Sequence, residues 1–193
     1  GRVNLSFGRL AEARAALERA ADLEPDRHLA WGLLAQAHVE ADDLPAAIKA
    51  YERAIRQAPE NSEYYNNVGL LYLREGFLEE ARRMFRASLA RKSTTSAHFN
   101  LGNLFLEEDS FQEAVAEYLK ASQLDPAYSD VYVNQASAQL GLGDYAAARA
   151  SYARFLELHV EEDEVRHRVL EQYEQLKEVD GPLPLIQHGN SYR

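Results

Sequence analysis

The stretch NNVGLLY, residues 66–72, has the apolar spacing of a helix, but it opens with two asparagines and contains a glycine. Asparagine and glycine are both poor helix formers. The same layout returns as FNLGNLF at residues 99–105 and, with alanine in place of the glycine, as VNQASAQ at residues 133–139. A departure from helix propensity that recurs at a fixed interval indicates an internal repeat.

The repeat extends well beyond these three stretches. When the sequence is aligned on the glycine of the first stretch, residues 1–160 divide into units of 33 or 34 residues. The units share a large residue, a Leu/Val–Gly/Ala pair, and later alanine and aromatic positions. In one unit these positions hold Trp31, Leu34, Ala35, His38, Ala47, Tyr51, Ala54 and Pro59. A period of this length predicts two helices in each unit, joined by a short turn, with proline near the end of the second helix.

The small residues of the pattern predict close contact between helices. Glycine at Gly69 and Gly102, and alanine at Ala81 and Ala114, allow two helix backbones to approach, and aromatic side chains fill the space beside them. Glycine therefore serves packing, against its helix propensity. Because one helix pair cannot bury its apolar face alone, we expect the units to stack on one another into a solenoid.

Over residues 1–160 this pattern resembles the tetratricopeptide repeat family. The resemblance implies an all-α fold, a right-handed helix-turn-helix solenoid in which the first helix of each unit lines a concave groove. The predicted units are one partial and four complete ones, at residues 1–27, 28–61, 62–94, 95–128 and 129–162. Function is then expected to reside in the side chains that the first helices present to this groove.

Two further segments follow the repeats. Residues 162–179 place one apolar stripe among charges, which predicts a C-terminal helix that caps the last unit; the stripe comprises Val165, Val169, Tyr173 and Leu176. Residues 180–193 contain glycine and proline and predict a tail or linker. This tail is apolar at Leu183, Leu185 and Ile186. Docking on the solenoid, entry into a neighbouring copy's groove and a link to a further domain all stay open.

Composition excludes several classes of protein. The 193 residues carry a net charge of −10 and no continuous basic track, which excludes general nucleic-acid binding. No apolar run reaches the roughly 18 residues that a membrane span needs. The absence of cysteine excludes disulfides and thiolate metal sites, but it is compatible with both cytosol and periplasm, so localisation stays open. Because the chain begins with glycine, we expect it to be a piece of a longer protein.

One face of each first helix is predicted to lie opposite its core positions. At about 100° per residue, Asn67 lies nearly opposite Tyr65, Val68 and Gly69, and is therefore expected to point into the groove. The candidate peptide-binding residues of the groove are Glu63, Asn66, Asn67, Leu70, Arg74, Phe99, Asn100, Asn103, Glu107, Asp130, Val133 and Asn134.

Asparagine recurs once per unit at the predicted groove position, as Asn67, Asn100 and Asn134, and this row ends at Leu33 in the preceding unit. A carboxamide both donates and accepts hydrogen bonds, which suits it to binding the main chain of an extended peptide. The row is similar to that of the O-linked N-acetylglucosamine transferase repeat superhelix, and this similarity implies that protein segments are held by their main chain. The alternative is that asparagine is common at this family position and decorates a hydrated surface.

Apolar and acidic residues in the groove indicate the chemistry of a partner. Leu70, Phe99 and Val133 lie where a groove without a partner would prefer polar residues, which indicates a binding surface. Acidic side chains accompany them, at Glu63, Glu107 and Asp130. We therefore expect an extended segment that mixes apolar and basic residues. Family members that bind a terminal carboxylate use basic groove residues, and Gly32, Asn66, Ser96 and Asp130 stand at those positions here, which disfavours an acidic C-terminal peptide.

No catalytic or cofactor motif is apparent. The sequence lacks a phosphate-binding GxxxxGK loop, an HExxH helix and paired cysteines, and its six histidines show no ligand spacing. We therefore expect a scaffold or adaptor that binds a protein or peptide segment, is not an enzyme, and takes neither cofactor nor metal. Two alternatives stay open. The chain could be the substrate-recognition arm of a larger enzyme, such as a peptide-modifying glycosyltransferase, or a self-assembling structural subunit that forms a homo-oligomer through its groove, cap or tail.

Overall fold

The computed structural model describes residues 15–19 and 28–177 of the chain. Residues 15–19 are helical, and the complete helices that follow are α1 (His28–Glu40), α2 (Leu44–Gln57), α3 (Ser62–Arg74), α4 (Leu78–Arg91), α5 (Thr95–Glu107), α6 (Phe111–Leu124), α7 (Ser129–Gly141), α8 (Tyr145–Leu158) and α9 (Glu164–Lys177). No strand occurs in these described ranges, and the prediction of an all-α helix-turn-helix fold is confirmed. The predicted tail at 180–193 and the predicted partial unit at 1–27, apart from residues 15–19, lie outside the described residues.

The chain divides into two compact units, residues 1–92 and 93–193. In the first unit, α1 packs against α2, α2 against α3, and α3 against α4. In the second unit, consecutive helices from α5 to α9 pack against one another in the same way, and α5 also contacts α7. Within the second unit, the first helices of two successive pairs therefore lie side by side.

Each of the four described helix pairs is joined by a tight turn that contains one residue with positive φ. These residues are Asp42, Gly76, Asp109 and Gly143, with φ of 60°, 78°, 55° and 73°. Glycine adopts this conformation freely, and aspartate tolerates it better than most residues do. Aspartate also begins two of the next helices, because Asp43 Oδ1 accepts the Ala46 N–H at 3.2 Å and Asp144 Oδ1 accepts the Ala147 N–H at 3.0 Å. Turn and helix start are thus specified by adjacent residues.

Alanine holds the helices of the first unit close together. Ala35, Ala47 and Ala54 are completely buried, and the Leu34 and Tyr51 side chains pack beside them in one apolar core. A side chain of one carbon lets neighbouring backbones approach, and the aromatic and branched residues then fill the remaining space.

Glycines inside the helices mark places where an aromatic ring lies against the backbone. A β-carbon at Gly69 would lie 2.6 Å from Phe85 Cε1, and one at Gly102 would lie 2.6 Å from Tyr118 Cε1. Both rings are completely buried. The prediction that glycine serves packing at these positions is therefore confirmed, and it explains the glycine in both repeated stretches.

We expect Gly102→Ala to lower the free energy of unfolding by about 1–3 kcal/mol, because the added carbon overpacks a closed site. This expected loss of stability is opposite in sign to the effect of helix propensity, which favours alanine over glycine by about 1 kcal/mol. The Tyr118 ring cannot retreat easily, since it is buried and its hydroxyl donates a hydrogen bond to Asn103. Urea unfolding measures the change. In a Tyr118→Leu background, which removes the ring, the same substitution should be neutral or stabilising; an undiminished loss there would contradict the packing explanation.

The last helix, α9, closes the core of the second unit. Val169 and Leu176 are buried and pack with Phe155 of α8, and Tyr173 packs partly buried against the same cluster. Val165, which the sequence placed in the same stripe, is 37% exposed and stands in the first turn of α9, outside this cluster. The capping helix is thus apolar over its middle and end, where it contacts α8.

Candidate functional site

Two neighbouring first helices of the second unit, α5 and α7, carry most of the predicted groove residues. Their partly or fully exposed members are Phe99, Asn103, Glu107, Asp130, Val133 and Asn134, and we call this surface the α5–α7 face. The Glu107 and Asp130 carboxylates are exposed, and neither helix contains lysine or arginine. The face is therefore acidic.

An asparagine pair forms the centre of the α5–α7 face. Asn103 Oδ1 accepts two hydrogen bonds, from the Tyr118 hydroxyl and from Asn134 Nδ2, each at 2.8 Å. A carbonyl oxygen has two lone pairs, so these two bonds fill its capacity. Both N–H groups of Asn103 Nδ2, and the oxygen and second N–H of Asn134, make no other hydrogen bond within the described part of the chain. The pair therefore keeps donors and an acceptor for a ligand.

The Tyr118 side chain holds this pair in place from beneath. Tyr118 belongs to α6, its ring is completely buried, and only its hydroxyl reaches Asn103. A buried ring has few alternative rotamers, so the hydroxyl is a fixed donor and the Asn103 carboxamide is oriented before any ligand arrives.

The arrangement recurs at the next helix pair. Burial raises the pKa of Tyr152 to about 12, an effect that a hydrogen bond with Ser137 and the charge of Arg168 partly oppose. Ser137 and Arg168 stand one repeat beyond Asn103 and Asn134 in the sequence. In this unit, a tyrosine hydroxyl from a second helix therefore contacts a polar residue of a first helix twice: Tyr118 contacts Asn103, and Tyr152 contacts Ser137.

The corresponding surface of the first unit is more apolar. Asn67 is half-buried, and its Nδ2 donates to the Tyr51 hydroxyl at 3.2 Å. Leu70 stands at the position equivalent to Asn103 and is 39% exposed, and Leu33 is 52% exposed. Of the other predicted groove residues in this unit, Glu63 and Arg74 are exposed, and Arg74 is paired with Asp42.

Four predicted groove residues are less open than the sequence indicated. Asn66 and Asn100 are buried, and each already makes an interaction within the protein. Phe99 is half-buried with its ring 5.2 Å from that of Tyr128, and Val133 packs against the core of the second unit. Asn66 and Asn100 therefore do not face an open groove, because a first helix is covered on more than one side, as α5 is by α6 and α7. Its buried sector is wider than a single stripe. For the half-buried Phe99 and Val133, the groove position stays a prediction.

The repeat pattern does not reveal the buried tyrosine hydroxyl, and it indicates Asn103 only as one of the candidate groove residues. A signal was present. Tyrosine stands at the same position of three units, as Tyr51, Tyr118 and Tyr152, although Phe85 shows that a ring without a hydroxyl fits there. Repeated tyrosine at a fully buried position indicates a polar partner for the hydroxyl.

Within residues 15–19 and 28–177, no three His, Asp or Glu side chains are grouped so that they could hold a metal ion. None of the helices in those ranges is both long enough and apolar enough to cross a membrane.

Known proteins share the repeat of this chain, and two of them are much longer than the chain. A family profile described as "Tetratricopeptide repeat" matches residues 1–62, 67–129 and 133–170. The peroxisomal targeting signal receptor of Yarrowia lipolytica is 32% identical over 145 residues, which is 70% of this chain and 23% of that protein. Protein O-mannosyl-transferase TMTC3 of Homo sapiens is 30% identical over 119 residues, 60% of this chain and 13% of that protein. The chain thus spans less than a quarter of either relative.

A solved structure shares the fold. The crystal structure of YrrB, described as "a TPR protein with an unusual peptide-binding site", has a TM-score of 0.68 at 15% identity and covers 84% of this chain and 93% of its own. At this identity the likeness establishes the fold alone. Fold and family match together support a protein-interaction role. The chain belongs to the tetratricopeptide repeat family.

Proposed function

We propose that this chain is an interaction adaptor that binds an extended protein segment on the α5–α7 face. The observation that carries the proposal is the Asn103–Asn134 pair, whose remaining donors and acceptor lie on one surface and whose orientation is fixed by Tyr118.

The pair matches the chemistry of a peptide main chain. Every peptide unit offers one N–H donor and one C=O acceptor, whatever its side chain. The Asn103 N–H groups suit a ligand carbonyl, and the Asn134 oxygen suits a ligand N–H. Because both carboxamides are already held by hydrogen bonds, binding orders little that was free before, which favours affinity. We infer that the main chain is recognised largely independently of the side chains.

The charge of the face selects among such segments. Glu107 and Asp130 are exposed, and no cation stands on α5 or α7. A basic segment is attracted by this field, and an acidic one is repelled. We expect the affinity for basic peptides to fall as salt is added, since ions screen exposed charges beyond about 10 Å at 0.1 M.

Two relatives add support of a general kind. One is named a receptor for a peroxisomal targeting signal, and the solved structure YrrB is described as having a peptide-binding site. The first name states a receptor role and the second description states peptide binding, and together they favour a peptide ligand here.

We expect an Asn103→Ala, Asn134→Ala double variant to lose at least about 10-fold in affinity for unrelated basic peptides, because each hydrogen bond contributes about 0.5–1.5 kcal/mol. The measurement is binding to an array of extended peptides, followed by titration calorimetry on those that bind. The matched control is Gln123→Ala, which removes an exposed carboxamide from the second helix α6.

The array distinguishes main-chain recognition from other modes. Equal losses across many sequences support it, provided that the variant keeps its helical circular dichroism. Unchanged binding by the double variant would overturn the proposed site. A loss confined to one peptide family would show that side chains, and not the main chain, are recognised.

A second candidate is the substrate-recognition arm of a larger enzyme. It is favoured by the match to a protein named an O-mannosyl-transferase, of which this chain covers only 13%. The test is a glycosyl-transfer assay on the full-length protein, with peptides that bind the α5–α7 face as acceptors. Transfer that falls with the Asn103→Ala, Asn134→Ala variant supports this candidate, and no transfer to any bound peptide argues against it. The predicted homo-oligomer stays a separate prediction, which light scattering across a concentration series checks.

A further inference from the structure

A second polar cluster in the second unit joins a serine, a histidine and a glutamate in one chain of hydrogen bonds. Ser93 Oγ lies 2.9 Å from His98 Nε2, and His98 Nδ1 lies 2.6 Å from Glu117 Oε2. The other carboxylate oxygen, Glu117 Oε1, accepts a hydrogen bond from Lys120 Nζ at 2.7 Å. None of these residues belongs to the α5–α7 face.

The contacts define what each group can do when the His98 imidazole is neutral. A carboxylate can only accept, so the His98 proton on Nδ1 is donated to Glu117. The neutral imidazole then has its lone pair on Nε2, where it accepts a hydrogen bond from the Ser93 hydroxyl. The histidine is thus placed to act as a base towards the serine, and the glutamate holds its ring in the required tautomer.

Burial is graded along the chain of hydrogen bonds. The His98 and Glu117 side chains are 10% and 12% exposed, whereas Ser93 is exposed. The orienting groups are therefore shielded from water, which strengthens their hydrogen bonds, and the hydroxyl can be reached from solution. Ser93 also directly precedes Thr94, the N-cap of α5, so charge that develops near its oxygen lies close to the positive end of a helix dipole.

We propose that Ser93 is an activated nucleophile that accepts acyl groups from small carboxylic esters. Ser93 Oγ attacks the ester carbonyl carbon while its proton passes to His98 Nε2. The carbon–oxygen bond to the alcohol then breaks, and His98 returns the proton to the departing alcohol. A water molecule, deprotonated by His98, later attacks the acyl-serine, and the carboxylic acid leaves as Ser93 regains its proton. Glu117 touches neither ester nor water and is a positioning residue.

This activity goes beyond the proposed adaptor function and uses different residues. The test reacts the whole chain with a fluorophosphonate probe, locates the label by peptide mass spectrometry, and follows p-nitrophenyl acetate hydrolysis in parallel. We expect the label on Ser93, no label there in Ser93→Ala, and labelling slowed by at least about 10-fold in Glu117→Gln, because a mispositioned base loses much of its effect. The matched control is the Ser96→Ala variant, which removes another exposed serine near the start of α5. In this variant, Ser93 should be labelled at the wild-type rate.

The variants also separate activation from simple exposure. Label on other residues but not on Ser93 would overturn the proposal. Equal labelling rates for wild type and Glu117→Gln would overturn it too, since an exposed but unactivated serine does not depend on Glu117. Ester hydrolysis must fall with labelling in Ser93→Ala; hydrolysis that persists unchanged would assign the activity to other side chains.

Discussion

Replacing Phe155 by alanine is expected to lower the free energy of unfolding by about 3–5 kcal/mol, the largest effect that we expect from any single substitution in the described helices. Phe155 is completely buried and packs in one cluster with Tyr152 of its own helix and with Val169 and Leu176 of α9. Its loss leaves a cavity between the last helix pair and the capping helix. Because these helices cannot close that cavity without moving apart elsewhere, little of the lost contact is recovered.

Urea unfolding followed by circular dichroism measures this effect. The matched control is Phe77→Ala, since the Phe77 side chain is 53% exposed and its removal should change stability by less than about 1 kcal/mol. Similar losses for the two variants would show that the cluster around α9 is not a stabilising core.

Stability is expected to fall by about 2–3 kcal/mol between about pH 10 and about pH 12 because of Tyr152 alone. Burial raises the pKa of this phenol from 10.0 to about 12. In that window the unfolded chain releases the Tyr152 proton while the folded chain keeps it. The unfolded state therefore binds fewer protons, and the free energy of unfolding decreases as the pH rises. Below about pH 10 both states are protonated, and the contribution is fully present.

The Tyr152→Phe variant isolates this contribution. The two proteins share every other ionisable group, so the informative quantity is the difference between their stability curves. We expect the curves to run parallel below about pH 10 and to converge or cross above it, as the wild type loses stability faster. Curves that stay parallel up to about pH 12 would contradict a strongly raised pKa for Tyr152.

Much of the fold could be predicted from the sequence because its signals are local. Glycine and aspartate mark the turns, and the glycine inside each repeated stretch marks contact with a buried ring, as Gly69 does with Phe85. The periodic alanines identify the core positions of both helices in a unit. These features depend on backbone geometry and on the nearest neighbour, which the period of the repeat already fixes.

The site could be predicted only in part, because it depends on contacts that a single helix does not reveal. The estimate from one helix placed Asn100 in the groove, but the side chain is buried, whereas Asn103 three residues later carries the hydrogen bonds to Tyr118 and Asn134. Which asparagine remains available depends on where α6 and α7 cover α5. The same holds for Ser93, His98 and Glu117, whose spacing matches no sequence motif and which meet only when α5 packs on α6.

The Asn103–Asn134 pair is proposed to bind the main chain of a protein segment. The most direct test follows the side-chain amide signals of the two residues by nuclear magnetic resonance during titration with a basic peptide selected from the array. We predict that both sets of signals shift in proportion to occupancy, and that neither shifts with an acidic peptide of the same length. Saturable binding that leaves both amides unchanged, while signals of exposed residues such as Leu119 and Leu124 on α6 move, would contradict the assignment.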